Sequence, residues 1–425
     1  MHEVVLGGLT VAALLAAAHA LGRVFSRLRQ PRVIGELLGG ALLAPPLLAH
    51  VWPELAQQVR HARGVEVATD VTHAVGLTLL MFVSGARMRR LLPAEDRRAV
   101  AWLAGLGTCL PFLVAVAAAP RLPLDPLRGR ADHELALILV LGVAAAVTSI
   151  PVISRIFNDL GLLETRFARL VLAVAVVEDV ALWVVLAVAL SLADSSGLPW
   201  ATAAEHVALT LLYVVVALAV MPAAFRRATR WCGNPLARTP TVWLLLLVAT
   251  SCALAHALGV SAAFGAFFGG LAVGPLVAER GPLQAALERL AALALATAIP
   301  AYFAVVGFRL DLGSDLWPGL TAALVASACL VKLASVGLGA HLAGFRGLEV
   351  VNLAVATNAR GGPGIILASV ALEAGIVSAA GYASLIALAV LTSQLAGAWL
   401  DLVLRRGWPL LRERAAPPGG GGAPG

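Results

Sequence analysis

Long apolar runs recur along the whole chain, and they restrict the fold more than any other feature of the sequence. Each is roughly 20 residues long, the length that a helix needs to cross a hydrocarbon core of about 30 Å. Hydrophobic residues make up 60% of the chain and charged residues 13%, against roughly 25% charged residues in soluble domains. The sequence therefore predicts an all-α polytopic membrane protein. We place thirteen transmembrane helices at about 3–22, 33–49, 70–86, 99–119, 133–157, 167–192, 202–225, 240–258, 260–278, 284–308, 317–344, 348–374 and 380–404.

The basic residues predict how these spans are oriented. Most of the 31 lysines and arginines fall in alternate loops and in the C-terminal tail, and loops rich in these residues face the cytoplasm. The pattern predicts a multi-pass protein of the cell (plasma) membrane with the N-terminus outside and the C-terminus in the cytoplasm. The net charge of +7 then faces the cytoplasm and anionic membrane lipid, and it requires no nucleic acid as a partner.

Two of the spans are interrupted near their centres by residues that break helices. The fifth contains AAVTSIPVIS, with Pro151, and the twelfth contains VATNARGGPGII, with Gly361 in its break. Broken backbone at membrane depth is tolerated only where it is buried in protein or lines a polar cavity. Both interruptions therefore point to the interior of the helix bundle.

The two breaks occupy corresponding places in two halves of six spans each. Repeat one covers about 3–192, a linker helix about 202–225, and repeat two about 240–404. A single linker span inverts the second half, and paired interruptions in inverted repeats indicate a transport site. We expect one transmembrane domain over 1–404, followed by a disordered cytoplasmic tail over 405–425, which is rich in Pro and Gly.

Two adjacent carboxylates, Glu178 and Asp179, lie halfway along the sixth span in the stretch VLAVAVVEDVALWVV. Ionisable residues inside a membrane are costly and mark ion or proton pathways. Their oxygens can hold a proton or a desolvated monovalent cation, but not both at once, which is the chemistry that exchange requires. The alternative interpretation is a protonated, hydrogen-bonded acid that only joins helices.

Lys332 is the only lysine in the chain, and it lies at the middle of the eleventh span. It is about 18 Å from either end of that span at 1.5 Å per residue, too far for its side chain to reach the interface easily. A cation at this depth needs a partner. Glu178 and Asp179 lie at equal depth, so we predict an ion pair between Lys332 and this acidic site.

Polar side chains also occupy the two breaks: Thr148 and Ser149 in the fifth span, and Asn358 and Arg360 in the twelfth. Arg360 is expected to offset the carbonyl ends of the half-helices, or to pair with an acid; simple capping of local carbonyls is the alternative. The other three could coordinate a cation or only satisfy the broken backbone.

Several segments in order give the chain a family resemblance. They include LGRVFSRLRQPRVIGELLGGALLAPPLL, VGLTLLMFVSGARM, TSIPVISRIFNDLGLLETRFARLVLAVAVVEDV, VSAAFGAFFGGLAV, PAYFAVVGFRLDL and NARGGPGIILASVALEAGIVS. Together they resemble the monovalent cation/proton antiporter superfamily in its type 2 branch, the Na+(K+)/H+ exchanger family. The resemblance covers about residues 5–404.

The resemblance implies a homodimer whose protomers carry a dimer domain and a mobile core with two crossing broken helices, the sodium/proton antiporter fold. By position, Asp179 corresponds to the main ion-binding aspartate, and Glu178 to the residue before it. Lys332 corresponds to the basic partner of that preceding residue, and Arg360 to the arginine of the break. Gly362 stands where several relatives have a glutamate, so a coordinating acid of those relatives is missing here.

The function expected from these features is secondary active antiport of a monovalent cation, Na+ or K+, against H+ by alternating access. Asp179 would bind the transported metal ion, and no cofactor is expected. One alternative is the same fold carrying an organic anion or drug coupled to Na+ or H+, with Arg360 and the half-helix N-termini as the anion site. Another is a membrane sensor or assembly subunit. No enzyme motif such as HExxH or GxSxG is present, so we predict that the protein is not an enzyme.

Overall fold

The computed structural model describes residues 2–28, 32–88, 96–194, 200–231, 239–260, 262–279, 281–310 and 317–412. These residues form α-helices joined by turns and short connections. The helices are α1 (His2–Arg27), α2 (Arg32–Leu42), α3 (Pro45–Val51), α4 (Pro53–His61), α5 (Arg63–Met88), α6 (Arg97–Ala118), α7 (Glu134–Ala146), α8 (Ile150–Asp159), α9 (Arg166–Asp194), α10 (Trp200–Val215), α11 (Met221–Trp231), α12 (Pro240–Ala257), α13 (Ala262–Glu279), α14 (Gly281–Ala296), α15 (Ala298–Phe308), α16 (Pro318–Leu342), α17 (Leu348–Thr357), α18 (Gly361–Glu373) and α19 (Ala379–Arg405).

Proline sets the start of several helices. A proline in the first turn is tolerated because that turn has no internal partner for the missing N–H, and the fixed φ of the ring already suits a helix. Prolines stand at the first position of α3, α4, α12 and α16. Pro151 is the second residue of α8 and Pro363 the third residue of α18, so each half-helix that follows a break begins in this way.

Each of the thirteen predicted spans coincides with one helix or with one interrupted pair of helices. The second predicted span is the pair α2 and α3, which is bent by 57°, and the tenth is the pair α14 and α15. By length and apolarity, eight helices of the described ranges could cross a membrane, or nine if the bent pair counts as one span. The structure is thus that of a multi-span membrane protein, while thirteen crossings stay a prediction.

Helix packing divides the bundle into two groups. One group, which we call the scaffold group, contains α1, α2, α5 and α12–α15; the other, the crossing group, contains α6–α9 and α16–α19. Within each group the helices pack mainly on one another. Helices α10 and α11 connect the groups, because α10 packs on α9 and α11 packs on α13. A π-helical turn, Val216–Val220, joins these two helices, and such turns locally widen a helix.

Small residues let α2 approach its neighbours in the scaffold group closely. Cβ atoms at Gly35 and Gly39 would overlap the backbone of α1, and one at Gly40 would overlap the carbonyl of Ala304 on α15. On α15, a Cβ atom at Gly307 would likewise overlap the carbonyl of Leu37 on α2. Helices in membranes gain stability from such close van der Waals packing, so this contact stabilises the scaffold group as one unit.

The beginning of the expected disordered tail is bonded to the crossing group. Asn352 on α17 donates from Nδ2 to the carbonyls of Pro409 (3.3 Å) and Leu410 (3.2 Å). The backbone N–H of Arg412 donates to Glu349 Oε1 at 2.6 Å. Residues 405–412 therefore differ from the expectation, because the polar start of α17 supplies partners for their backbone. Residues 413–425 lie outside the described residues.

Candidate functional site

The two broken spans meet at the centre of the crossing group. Residues 147–149 connect α7 to α8, and residues 358–360 connect α17 to α18. The two non-helical segments bind each other through their backbones: the N–H of Ser149 donates to the carbonyl of Ala359 at 2.6 Å. The hydroxyl of Thr148 donates to the carbonyl of Thr357 at 2.5 Å. The breaks therefore supply each other with the partners that a helix would have supplied internally.

Hydroxyl groups satisfy the free N–H groups at the start of α18. Ser149 Oγ accepts from the N–H of Gly362 at 3.2 Å. Thr392 Oγ1 and Ser393 Oγ accept from the N–H groups of Arg360 (3.3 Å) and Gly361 (3.0 Å). Thr392 and Ser393 are not among the residues predicted from the sequence, although they form a polar pair within the apolar stretch ALAVLTSQLAG.

Gly361 has no side chain because the crossing leaves no room for one. Its φ is +26°, in the region that favours glycine, and a Cβ atom there would overlap the side chain of Val152. It would also lie 3.0 Å from Ser149 Oγ. The close approach of the two breaks thus depends on a glycine at this position.

We therefore expect Gly361→Ala to lower the free energy of unfolding by about 2 kcal/mol or more, because strain and overlap add. The matched control is Gly362→Ala, since a Cβ there meets only Ser149 Oγ at the ordinary distance of 3.9 Å. Thermal unfolding of the two purified variants measures the difference. Equal unfolding temperatures would contradict the steric argument.

Arg360 satisfies all five of its N–H groups with oxygens of the crossing group. Nε donates to the carbonyl of Ala144 and Nη2 to that of Ala145, both at 2.8 Å, and Nη2 also donates to Ala328 at 2.9 Å. Nη1 donates to the side-chain oxygen (2.6 Å) and the carbonyl (3.2 Å) of Asn358. In the residues that the structure describes, no carboxylate forms an ion pair with Arg360. Its charge therefore faces the carbonyl end of α7, where a cation is favourable.

Lys332 has three N–H groups and three acceptors, and it is fully buried. Nζ lies 2.8 Å from Glu178 Oε1 on α9, 3.0 Å from the carbonyl of Gly107 on α6, and 2.5 Å from the carbonyl of Ala146 on α7. We call these three oxygens the ammonium cradle. The structure thus brings Lys332 and Glu178 together, and it adds the carbonyls of Gly107 and Ala146, which are not predicted from the sequence.

The two carboxylates keep oxygens to which no other group of the described residues donates. Glu178 is fully buried and Asp179 is 4% exposed. Glu178 Oε2 and Asp179 Oδ1 are both buried without a hydrogen-bond partner. A buried polar atom without a partner is costly, so these oxygens are suited to hold a ligand that is itself positive. Carboxylate oxygens are what a hard monovalent cation or a proton would bind.

The charges at this centre balance when all four ionisable groups are charged. Glu178 and Asp179 face Lys332 and Arg360 within one group of helices. Both cations have a full set of acceptors, whereas each acid has one oxygen to which no group of the described residues donates. One additional positive ion would therefore find its ligands on the acids.

Comparison with known proteins agrees with this architecture. A family model described as "Sodium/hydrogen exchanger, transmembrane" matches residues 10–406. Cation/H(+) antiporter 18 of Arabidopsis thaliana is 28% identical over 393 residues, 91% of this chain and 47% of that protein. The Na(+)/H(+) antiporter NhaS4 of Synechocystis is 24% identical over 391 residues, 89% of this chain and 92% of that protein. The chain spans about half the length of the first of these relatives.

A solved structure has the same fold. The sodium proton antiporter MjNhaP1 from Methanocaldococcus jannaschii superimposes with a TM-score of 0.62 at 16% sequence identity, over 95% of this chain and 99% of that one. The match confirms the all-helical antiporter fold that the resemblance implies. With the family model covering nearly the whole chain, we conclude that the chain belongs to the transmembrane sodium/hydrogen exchanger family.

Proposed function

We propose that the protein is a secondary active antiporter that exchanges a monovalent cation, Na+ or K+, for H+ by alternating access. The observation that carries this proposal is the pair of buried acids beside the crossing, each with an oxygen that has no partner in the described ranges of the chain. The names of the antiporters to which the chain is similar support it. We also propose that the protein catalyses no chemical conversion.

Asp179 is the residue that we assign to binding the transported ion. Its carboxylate is buried, and Lys332 donates to Glu178 instead of to it. A desolvated Na+ or K+ and a proton compete for the same oxygens, so the site carries one or the other at a time. Movement of the site from one side of the membrane to the other then couples the two gradients.

Glu178 and Lys332 form the part of the site that we assign to charge coupling. In the structure they form an ion pair, with 2.8 Å between Lys332 Nζ and Glu178 Oε1. When a cation binds, Glu178 turns its free oxygen and its charge toward it, and Lys332 gives up its proton. Two protons would then move for each cation, one from Asp179 and one from Lys332, and exchange would be electrogenic.

We further propose an arrangement in the membrane. The chain crosses thirteen times as two inverted repeats, about 3–192 and 240–404, around a linker helix at about 202–225. The N-terminus lies outside the cell (plasma) membrane, and the C-terminal tail lies in the cytoplasm. The crossing group moves against the scaffold group, which forms the contact of a homodimer. The packing of the helices into two groups supports this division.

The alternative, transport of an organic anion or drug, has less support. It would use Arg360 and the N–H groups at the start of α18 to hold the anion. Those donors already have acceptors, namely backbone carbonyls, Asn358 and the hydroxyls of Thr392 and Ser393. In the part of the chain that the structure describes, Glu178 Oε2 and Asp179 Oδ1 have no partner, and these carboxylate oxygens are acceptors that suit a cation.

A transport assay in proteoliposomes tests the proposed function. The purified protein is reconstituted with a pH dye inside, and Na+, K+, Li+ or choline is added outside. We expect the internal pH to rise as the added cation enters in exchange for H+. The pH change should reverse when the cation gradient is reversed, and choline should cause none. Cation-dependent uptake of an organic anion without proton movement would favour the alternative, and no response to any alkali cation would contradict the proposal.

Electrogenic exchange is a separate prediction. With one net charge moved per cycle, a potential of 100 mV contributes about 2.3 kcal/mol, so clamping it with valinomycin at two values should change the rate of Na+-driven exchange several-fold. The matched comparison is Glu178→Gln, which removes one charge of the ion pair. A wild-type rate that is independent of the potential would exclude electrogenic exchange and leave antiport itself intact.

A further inference from the structure

The scaffold and crossing groups touch through polar side chains at one end of the molecule, where α5 begins and α15 and α18 end. We call this the Glu373 end. We propose that the carboxylate of Glu373 is a latch that holds the two groups together there, through His73 and Arg309. The inference rests on the proposed function insofar as the groups must separate at this end during transport.

His73 and Arg309 both belong to the scaffold group and both face Glu373. His73 Nδ1 on α5 lies 2.9 Å from Glu373 Oε1, and Arg309 Nη1, just after α15, lies 3.9 Å from the same oxygen. Arg309 is held in place by Asp70, one turn before His73. The His73 ring also packs against the Tyr302 ring in a tilted arrangement, with 4.9 Å between ring centres. One carboxylate thus receives two scaffold side chains that are themselves fixed.

Two tyrosine hydroxyls join the groups beside this contact. Tyr302 on α15 donates to Ser369 Oγ on α18 at 3.5 Å. Tyr382 on α19 donates to the carbonyl of Val306 on α15 at 2.9 Å. These bonds are buried, whereas the Glu373 side chain is 48% exposed. Of the three side chains that join the two groups here, Glu373 is thus more exposed to water than His73 or Arg309.

The opposite end of the crossing group is built differently. A cluster of apolar side chains around Val171 and Leu353 draws its buried members from the crossing group, and from the scaffold group the partly buried Val33 of α2 packs against it. The larger cluster, around Phe82 and Leu367, contains buried side chains of both groups. Buried apolar contact between the groups therefore belongs to this larger cluster, which includes Val370 and Ala371 of α18 beside Glu373.

The backbone of Glu373 stays within its own group. Arg130, in the connection between α6 and α7, donates from Nη2 to the carbonyl of Glu373 at 3.0 Å. Since α18 is the second half of a broken span, its movement carries the Glu373 carboxylate with it. Opening at this end therefore requires that His73 and Arg309 release one carboxylate, while the fold of α18 stays intact.

Cysteine labelling tests the latch without any transport. Ser369→Cys, introduced after Cys109, Cys232, Cys252 and Cys329 are replaced by alanine, places a thiol at the buried contact between the groups. In lipid nanodiscs, Glu373→Gln should raise its rate of reaction with a water-soluble maleimide roughly threefold to tenfold, the range expected for one lost hydrogen bond. His73→Asn should raise the reaction rate by the same factor. The double variant Glu373→Gln/His73→Asn should react no faster than either single variant.

The matched control is Glu349→Gln. Glu349 lies at the start of α17, the other half of the same broken span, and among the described residues it accepts from the backbone of Arg346 and Arg412 in its own group. Its replacement should leave the labelling rate unchanged. The proposal would be overturned if the Ser369→Cys protein reacted at the same rate with and without Glu373→Gln. It would also be overturned if Glu349→Gln raised the reaction rate as much as Glu373→Gln does.

Transport measured separately from each side of the membrane tests the latch independently of the proposed function. If the latch stabilises one state, Glu373→Gln should lower the KM for the cation at the Glu373 end and raise it at the other end, because each apparent affinity follows the population of the state that binds. A merely structural defect would lower the maximal rate on both sides. Faster labelling without any exchange would contradict the proposed function alone, and exchange with unchanged labelling and KM would contradict the latch alone.

Discussion

Asp179→Asn should abolish cation-driven proton movement in proteoliposomes, with a rate lower than that of the wild type by roughly 100-fold or more. The amide keeps the size of the side chain but cannot ionise, and losing the charged partner of a desolvated ion costs about 3 kcal/mol or more. The unfolding temperature of the variant should not fall, because a buried charged oxygen without a partner is removed. Stabilisation of the protein by added Na+ or K+ should disappear with the transport.

The control for this experiment is Asp96→Asn, the same chemical change on a carboxylate of the crossing group. Asp96 is mostly buried and accepts twice from Arg166, at 2.7 and 3.0 Å, away from the crossing. Its replacement should lower stability and keep cation-dependent proton exchange. Robust exchange by Asp179→Asn would remove Asp179 from the site.

Lys332→Ala should have the second largest effect, a loss of folding stability that an added amine reverses. It leaves Glu178 charged and without its partner, which costs about 3–5 kcal/mol in buried pairs, and it leaves the carbonyls of Gly107 and Ala146 without a donor. The removed atoms, Cγ to Nζ, are those of n-propylammonium. Addition of n-propylammonium at millimolar concentration should raise the unfolding temperature of the variant and leave the wild type unchanged.

Two comparisons make this rescue specific. Tetramethylammonium has the charge but no N–H group, so it cannot donate to the ammonium cradle and should not rescue. The double variant Lys332→Ala/Glu178→Ala lacks the carboxylate and should not respond to n-propylammonium either. Equal stabilisation by both ions would show a general salt effect and contradict the geometry of the cradle.

The sequence predicted the charged part of the site because a charge inside an apolar span stands out. Glu178, Asp179, Lys332 and Arg360 are predicted in this way, and the helix-breaking residues predict the two breaks. The partners of Lys332 at Gly107 and Ala146 are backbone carbonyls, and every residue type has one. No residue pattern marks which carbonyl will meet an ammonium group, since that depends on how α6 and α7 pack.

Contacts between helices that lie far apart along the chain could not be predicted from the sequence either. Glu373 stood in a segment that carried the family resemblance, yet nothing in its surroundings in the sequence pointed to His73, 300 positions earlier. Thr392 and Ser393 interrupt an apolar run, but hydroxyl groups also bond to their own helix, as both do here. Only the fold shows that they also serve the start of α18.

The bonding of Lys332 has a mechanical consequence. Its single nitrogen, on α16, fastens α6, α7 and α9 at once. A protonated amine donates three hydrogen bonds, but a neutral amine has only two hydrogens to give. Loss of one proton must therefore release an oxygen on one of these three helices, so the stiffness of the bundle at its centre changes in the same step as its charge.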